Sequence, residues 1–448
     1  EIGYVMIGSV FYNTLREALA ASGSSIYLCR DITESVTYSG TSSKYIYLSG
    51  YTWTAEEGSP ALTTESGSGR VTLYGGSGGD GLMQRTDEGA VVVNAGSVRF
   101  MTSGSHSVAV TGAASGSYAL IENSGTLEIR AGRFVCSENG TILQNDGGTV
   151  TVLGGTFSSV FDELDSSNSY TYITDGYYLA DNGDGTYTVS RVVAWVDLDH
   201  NGIMGDGEVF FTSVQDAVAV AQSGDTVVML YNSSTDVVVA EGQDITLELR
   251  SGTLSASITN NGTLTITGTD GRVENGVTNN GTLSIQGGTF KSGRESSDAT
   301  TNIYLEEVYA HLADGYYFVS CSGNYYFTVG EGERVATIED GDFTLDVGSV
   351  AVAINYVTNV AKSANVTVTL LQDDSLQAST TIGSVSQSYA TNVTFDLGGN
   401  TLSTGYLLSV YSSDKTSSFY VTITNGVLAL SYADDSTARV AISATYQA

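Results

Sequence analysis

Apolar residues fall at every second position through much of this chain. "TLTIT" (263–267), "TLSIQ" (282–286) and "TLEIR" (126–130) place Leu264 and Ile266, Leu283 and Ile285, and Leu127 and Ile129 on one side each. A period of two predicts short strands with one buried face. Each run is followed by a small turn and then another apolar or aromatic residue, such as Phe134, Phe157 or Phe290. The runs sit inside longer phrases that recur nearly letter for letter: "NNGTLTITG" from residue 260, "NNGTLSIQG" from 279, "NSGTLEIRAGRF" from 123 and "NDGGTVTVLGGTF" from 145. That spacing is too long for a hairpin and too short for a strand-helix-strand crossover. It predicts a coil of two or three short strands per circuit, each circuit stacking parallel on the last. The Gly and Asn at the turns fit left-handed positions, and an Asn can hydrogen-bond to its counterpart one circuit below. An antiparallel sandwich is the competing reading, and it predicts Asn-Gly hairpins between equal strands.

A second pattern has the helical period. "GSVFYNTLREALAAS" (8–22) matches "GEVFFTSVQDAVAVA" (207–221), with a looser copy in "LDVGSVAVAINYVTNVAKS" (345–363). Leu15, Ala18 and Leu19, then Val214, Ala217, Val218 and Ala221, then Val350, Ala353, Ile354 and Val357 predict three amphipathic helices. Capping boxes open the first two, Thr14 with Glu17 and Ser213 with Asp216. A strand follows each helix, and the Tyr-rich phrases "DGYYLADNGDGTYTVS" (175–190) and "DGYYFVSCSGNYYFTVG" (314–330) predict closing hairpins that Tyr177, Tyr178, Tyr316, Tyr317, Tyr325 and Tyr326 pack. The expected plan is three units: 1–191 with its hairpin, 192–332 with its hairpin, and 333–448 without one.

These phrases resemble the tandem modules of large secreted surface proteins of gut bacteria. The likeness rests on Tyr12, Thr14, Leu15, Glu17, Ala18 and Leu19, on Gly224 to Thr226, on Asp396 to Leu402, on Gly154 to Phe157 and on Asp175 to Val189. It covers most of the chain. The resemblance implies an all-β fold, the right-handed parallel β-helix of the pectin-lyase-like superfamily, together with a secreted or cell-surface, adhesin-like context. It specifies a scaffold and no chemistry.

Composition narrows the partners. The 448 residues carry 49 Asp and Glu against 17 Lys and Arg, a formal charge of −32. Such a field repels nucleic acid, anionic lipid and uronate polymers, and it keeps a secreted protein soluble. No apolar run is long enough to span a bilayer, so an anchor and a signal peptide are expected outside this stretch. Cys29, Cys136 and Cys321 are an odd, widely spaced set, read as free buried thiols.

Parallel β-helices also host polysaccharide lyases and glycoside hydrolases. A uronate lyase needs a cation to neutralise the carboxylate and an Arg or Lys base. "WVDLDH" (195–200) is superficially similar to a pectate lyase element, but its Arg-x-Pro-x-x-Arg partner cannot exist where Pro60 is the one proline. Asp373/Asp374 and Asp434/Asp435 are adjacent and point to opposite faces of a strand, so they read as acidic turns. No catalytic residue is assigned. The expected function is an adhesin-like or structural scaffold that binds an extracellular glycan or a host or neighbour-cell protein; a lyase or hydrolase on the same scaffold is the alternative.

One motif carries metal chemistry. "DLDHNGIMGDGE" (197–208) places Asp197, Asp199, Asn201, the Ile203 carbonyl and Glu208 at positions 1, 3, 5, 7 and 12 of an EF-hand-type loop, with Gly202 at position 6. Hard oxygen ligands at these spacings wrap Ca²⁺. The flanking "VVAWV" is strand-like, so the loop is expected to replace a plain hairpin turn and to hold a structural ion there.

Overall fold

The computed structural model describes residues 4–162, 171–204, 208–291, 304–323, 325–384, 390–404, 408–412, 419–430 and 442–446. It divides into two compact units, Glu1–Val192 and Val193–Ala448. The protein is all-β, and most of its strand pairs are parallel, an arrangement compatible with a solenoid.

In the first unit successive strands go to three sheets in turn. Val71–Tyr74 pairs with Ser97–Met101, which pairs with Thr126–Ile129. Gly81–Gln84 pairs with Val108–Thr111, and that with Arg133–Val135. Leu62–Thr64 pairs with Val92–Asn94, and that with Ala119–Asn123. All these ladders are parallel and in register, so like side chains stack. Ile26, Ile46, Leu73, Phe100, Ile129 and Val152 form one inward column, each nearly or wholly buried. Phe100 meets Phe134 edge-on at 5.2 Å, and Phe134 stacks on Phe157 at 5.1 Å. Each such side chain contributes about 1.5–3 kcal/mol by leaving water. The second unit repeats the scheme, with Val227, Leu247, Ile266 and Ile285 in register.

The doubled phrase lies at a corner. Ile258–Asn260 and Thr263–Thr267 belong to different sheets, each pairing parallel with the matching strand of the next copy, so the Asn-Gly turn joins no hairpin. Gly262 and Gly281 are not left-handed, which corrects the conformational reason for glycine at these corners. The reason is close approach: a Cβ on Gly281 would lie inside the carbonyl oxygen of Gly262, and one on Gly262 inside those of Ala240 and Gln243. Left-handed glycines follow one turn later, at Gly268 (φ 101°) and Gly288 (φ 94°).

Helices Leu15–Ala20, Val214–Val220 and Val350–Asn359 stand where the period predicts them. Thr14, Ser213 and Ser349 cap them by accepting from the amides of Glu17, Asp216 and Val352. The reciprocal half of the first box shifts by one residue, the Glu17 carboxylate accepting from Asn13 N. Each of the first two helices follows an antiparallel hairpin, Val5–Ile7 with Val10–Tyr12 and Ala194–Asp197 with Val209–Phe211. A fourth helix, Tyr304–Ala310, has no counterpart in the sequence reading; it buries Leu305 and Val308.

The Tyr-rich hairpins form as expected. Tyr177–Asp181 with Tyr187–Arg191 pairs onto Gly155–Phe157, and Tyr316–Ser322 with Tyr326–Glu331 onto Thr289–Lys291. Beyond residue 332 the same sheet continues, Phe318 pairing with Val347 of the hairpin Ala336–Asp340 and Phe343–Val347.

Candidate metal centre

Asp197 ends the strand Ala194–Asp197, and its antiparallel partner begins at Val209, so Leu198–Met204 and Glu208 lie between the two strands of a hairpin. Left-handed backbone at His200 (φ 57°) and Gly202 (φ 70°) curls the loop back over Asp197. Asp197 Oδ2 accepts from Gly202 N at 2.9 Å, Asp199 from Asn201 N at 3.1 Å and Asn201 Nδ2 at 2.6 Å, and Asn201 Oδ1 from Ile203 N at 2.5 Å. Ligand oxygens of Asp197, Asp199 and Glu208 lie within 4.8 Å of one another, the one such group of three among the described residues.

Asp197 is only 3% exposed, and its Oδ1 takes no hydrogen bond. A buried carboxylate oxygen without a donor, facing two further carboxylates, carries a desolvation cost that a divalent cation would remove. The donor set is all oxygen and fits a hard cation. Of the five sequence-predicted positions, the structure gathers the three carboxylates and ties Asn201 to Asp199; Ile203 is 68% exposed at the loop tip.

Two residues outside the motif support the loop. Arg250 Nη1 donates to the Gly202 carbonyl at 2.7 Å, its guanidinium lies 5.1 Å from the ring centre of the buried Trp195, and Glu248 holds it at 2.8 Å. Arg250 follows the strand Asp244–Leu249, which lies beyond Thr226–Met229 in the sheet from the strand of Asp197, so no local spacing could have marked it.

A different cavity bears on catalysis. In the first unit Asn13, Arg16, Asp31, Glu34 and Glu56 line a surface cavity of about 550 Å³. Two of the three carboxylates there serve the backbone: Glu34 accepts from Leu15 N at 2.7 Å and Arg16 N at 3.0 Å, and Asp31 from Thr52 N at 2.7 Å. Asp373 and Asp374 do likewise for Thr401 N and Val350 N, Asp374 from the first position of the strand Asp374–Leu376. Asp434 and Asp435 lie outside the described residues. The three cysteines are free but half-buried, and burial pushes the thiols of Cys29 and Cys321 up, away from the thiolate a nucleophile needs.

The chain matches no family model, no curated protein and no solved structure.

Proposed function

We propose that the chain is a secreted or cell-surface, adhesin-like scaffold built as right-handed parallel β-helices of the pectin-lyase-like kind, which presents flat sheet faces to an extracellular glycan or protein. The every-third-strand pairing supports the coil, and right-handed crossovers are the rule for parallel strands. The observation that carries the binding reading is the make-up of the outward rows. Thr33, Thr54, Gln84, Thr111 and Val135 form one, and Thr37, Thr63, Val93, Glu122 and Gln144 another. They are flat, hydroxyl- and amide-bearing and poor in charge, as suits recognition or spacing rather than acid-base work.

Ca²⁺ is the ion we assign to the loop of Asp197, Asp199, Asn201, Ile203 and Glu208, where it would fix the turn as a structural clamp. The orphaned Asp197 Oδ1 supports it.

A lyase or hydrolase is the second reading, favoured by Arg16 and three carboxylates around one cavity. The engagement of Glu34 and Asp31 as backbone acceptors weighs against it. Glycan arrays and cell-binding assays test the leading reading: saturable retention is expected, and silence in both would leave only a structural stalk.

A further inference from the structure

We propose that the outer face of the sheet running through Val10–Tyr12, Val5–Ile7, Ser25–Leu28, Lys44–Tyr47, Val71–Tyr74 and Ser97–Met101 is a docking surface for an acidic protein partner. The proposal rests on the reading of the chain as a binding scaffold and names the partner class for one face of it.

Register lines up a single outward row across these strands: Phe11, Met6, Tyr27, Tyr47, Tyr74 and Met101. Phe11 is 49% exposed, and Tyr45, in the adjacent row, is 37% exposed. The two threonine-bearing rows from Thr33 to Val135 and from Thr37 to Gln144 carry no aromatic residue. Six strands at about 4.8 Å spacing make a strip roughly 25 Å across, wide enough for an ordinary protein contact.

The chemistry of the strip separates a protein from a glycan. Tyr27 stacks on Tyr47 at 4.6 Å, and Tyr47 on Tyr74 at 4.7 Å, each pair within 10° of parallel. Both faces of Tyr47 and one face each of Tyr27 and Tyr74 are therefore spent within the stack, so the centre of the row offers a sugar no open aromatic face and only Phe11 stands well exposed, at its end. What remains outward is ring edges, hydroxyls and methionine. Tyr, Phe, Met and Arg are the residues that protein interfaces concentrate, while Lys, Asp and Glu are depleted there.

Charge selects an acidic partner. The adjoining row runs Ser25, Tyr45, Thr72, Arg99, Glu128 and Thr151. Glu128 is its single carboxylate, and two guanidiniums share it, Arg99 Nε at 2.6 Å and Arg130 on the other oxygen. Arg70 Nε reaches Ser97 Oγ at the opposite, N-terminal ends of these parallel strands. In a chain with 49 acidic and 17 basic residues, this strip inverts the overall sign. Carboxylates on a partner would meet Arg99, Arg130 and Arg70 at close range, while the net field of the chain repels a long polyanion that overruns the strip.

The probe is a random glutamate-tyrosine copolymer, titrated into the whole protein alongside polyglutamate, polygalacturonate and a neutral glucan at several salt concentrations. Saturable binding of the copolymer is expected, tighter than that of polyglutamate, weakened by salt, and at least tenfold weaker in the double variant Arg99→Gln/Arg130→Gln and in Tyr47→Ser. Thermal melting of both variants checks that they fold. Unchanged binding in the variants, absence of binding by either polypeptide, or polygalacturonate binding as well as the copolymer would each overturn the proposal. Retention of cells or glycans by wild type and double variant alike would defeat this proposal and leave the scaffold reading standing; retention of nothing by wild type would defeat both.

Discussion

Asn260 Nδ2 donates to Asn279 Oδ1 at 2.8 Å, one copy of the doubled phrase bonding the other through the same side chain. The first unit extends the device to three members, Asn94 to Asn123 at 2.6 Å and Asn123 to Asn145 at 2.7 Å, with Thr64 donating to Asn94 at the top. Asn94, Asn123 and Asn260 are essentially inaccessible, so each amide must find all its partners inside. Asn123→Ala is expected to cost about 2–3 kcal/mol, because it orphans an acceptor on one side and a donor on the other. Asn145→Ala, at the last step, should cost less. Urea midpoints of the two variants check the order, and equal small losses would show that the ladder contributes nothing.

Gly281 tests the close-approach argument. Gly281→Ala would press its Cβ into the Gly262 carbonyl, which is backbone and cannot rotate away. A loss of about 3 kcal/mol is expected. Gly242 is left-handed (φ 80°) with open space around it, so Gly242→Ala should cost less, about 1 kcal/mol.

Lys44 and Gln243 do one job in the two units. Lys44 Nζ donates to the carbonyls of Ala21 and Gly23 at 2.6 and 2.7 Å, just past the first helix, and Gln243 Nε2 to those of Val218 and Ala221 at 2.6 and 3.1 Å, in the last turn and at the C-cap of the second. Burial pulls the Lys44 ammonium below the ordinary lysine range. Between that lowered value and the ordinary one, the unfolded chain keeps a proton that the folded chain has lost, so stability rises with pH across the window. Lys44→Gln is expected to fold, to match or exceed wild type at neutral pH, and to lack the alkaline rise. Lys44→Met should lose about 1–3 kcal/mol per orphaned carbonyl. Denaturant midpoints from neutral pH into the lysine range read both effects.

Calcium supplies the fourth test. At a hundredfold excess over its Kd, bound Ca²⁺ stabilises by about 2.7 kcal/mol, a rise of several degrees in the melting temperature. Asp197→Ala should abolish the gain and Arg250→Ala should reduce it. Identical melting in calcium and in chelator would remove the ion from the account.

Much of the fold was legible because its period is local. Alternation marks Thr263–Thr267 and Thr126–Ile129 as strands, and the apolar stripe with its Ser or Thr cap marks the three helices. Strands such as Ile32–Thr33 and Thr253–Leu254 are too short to show any alternation, and only pairing with the next copy defines them. The helix Tyr304–Ala310 is preceded in the sequence by Ile303, where the others have the Ser or Thr that announced them. At the metal loop the spacing of hard ligands found Asp197, Asp199 and Glu208, whereas Arg250 and Glu248 act from the end of a strand two places away in the sheet and about fifty positions on in the chain. The roles of Glu34 and Asp374 were equally hidden, since their partners are backbone amides 19 and 24 positions away.

The central claim is a scaffold that holds its ligand without converting it. The most direct measurement is the chain-length profile of a polysaccharide that the protein retains, followed through a long incubation with calcium present. The account predicts retention with an unchanged profile and no new reducing or unsaturated ends. Progressive shortening, or the appearance of such ends, would contradict it and shift the assignment to the cavity of Arg16, Asp31, Glu34 and Glu56.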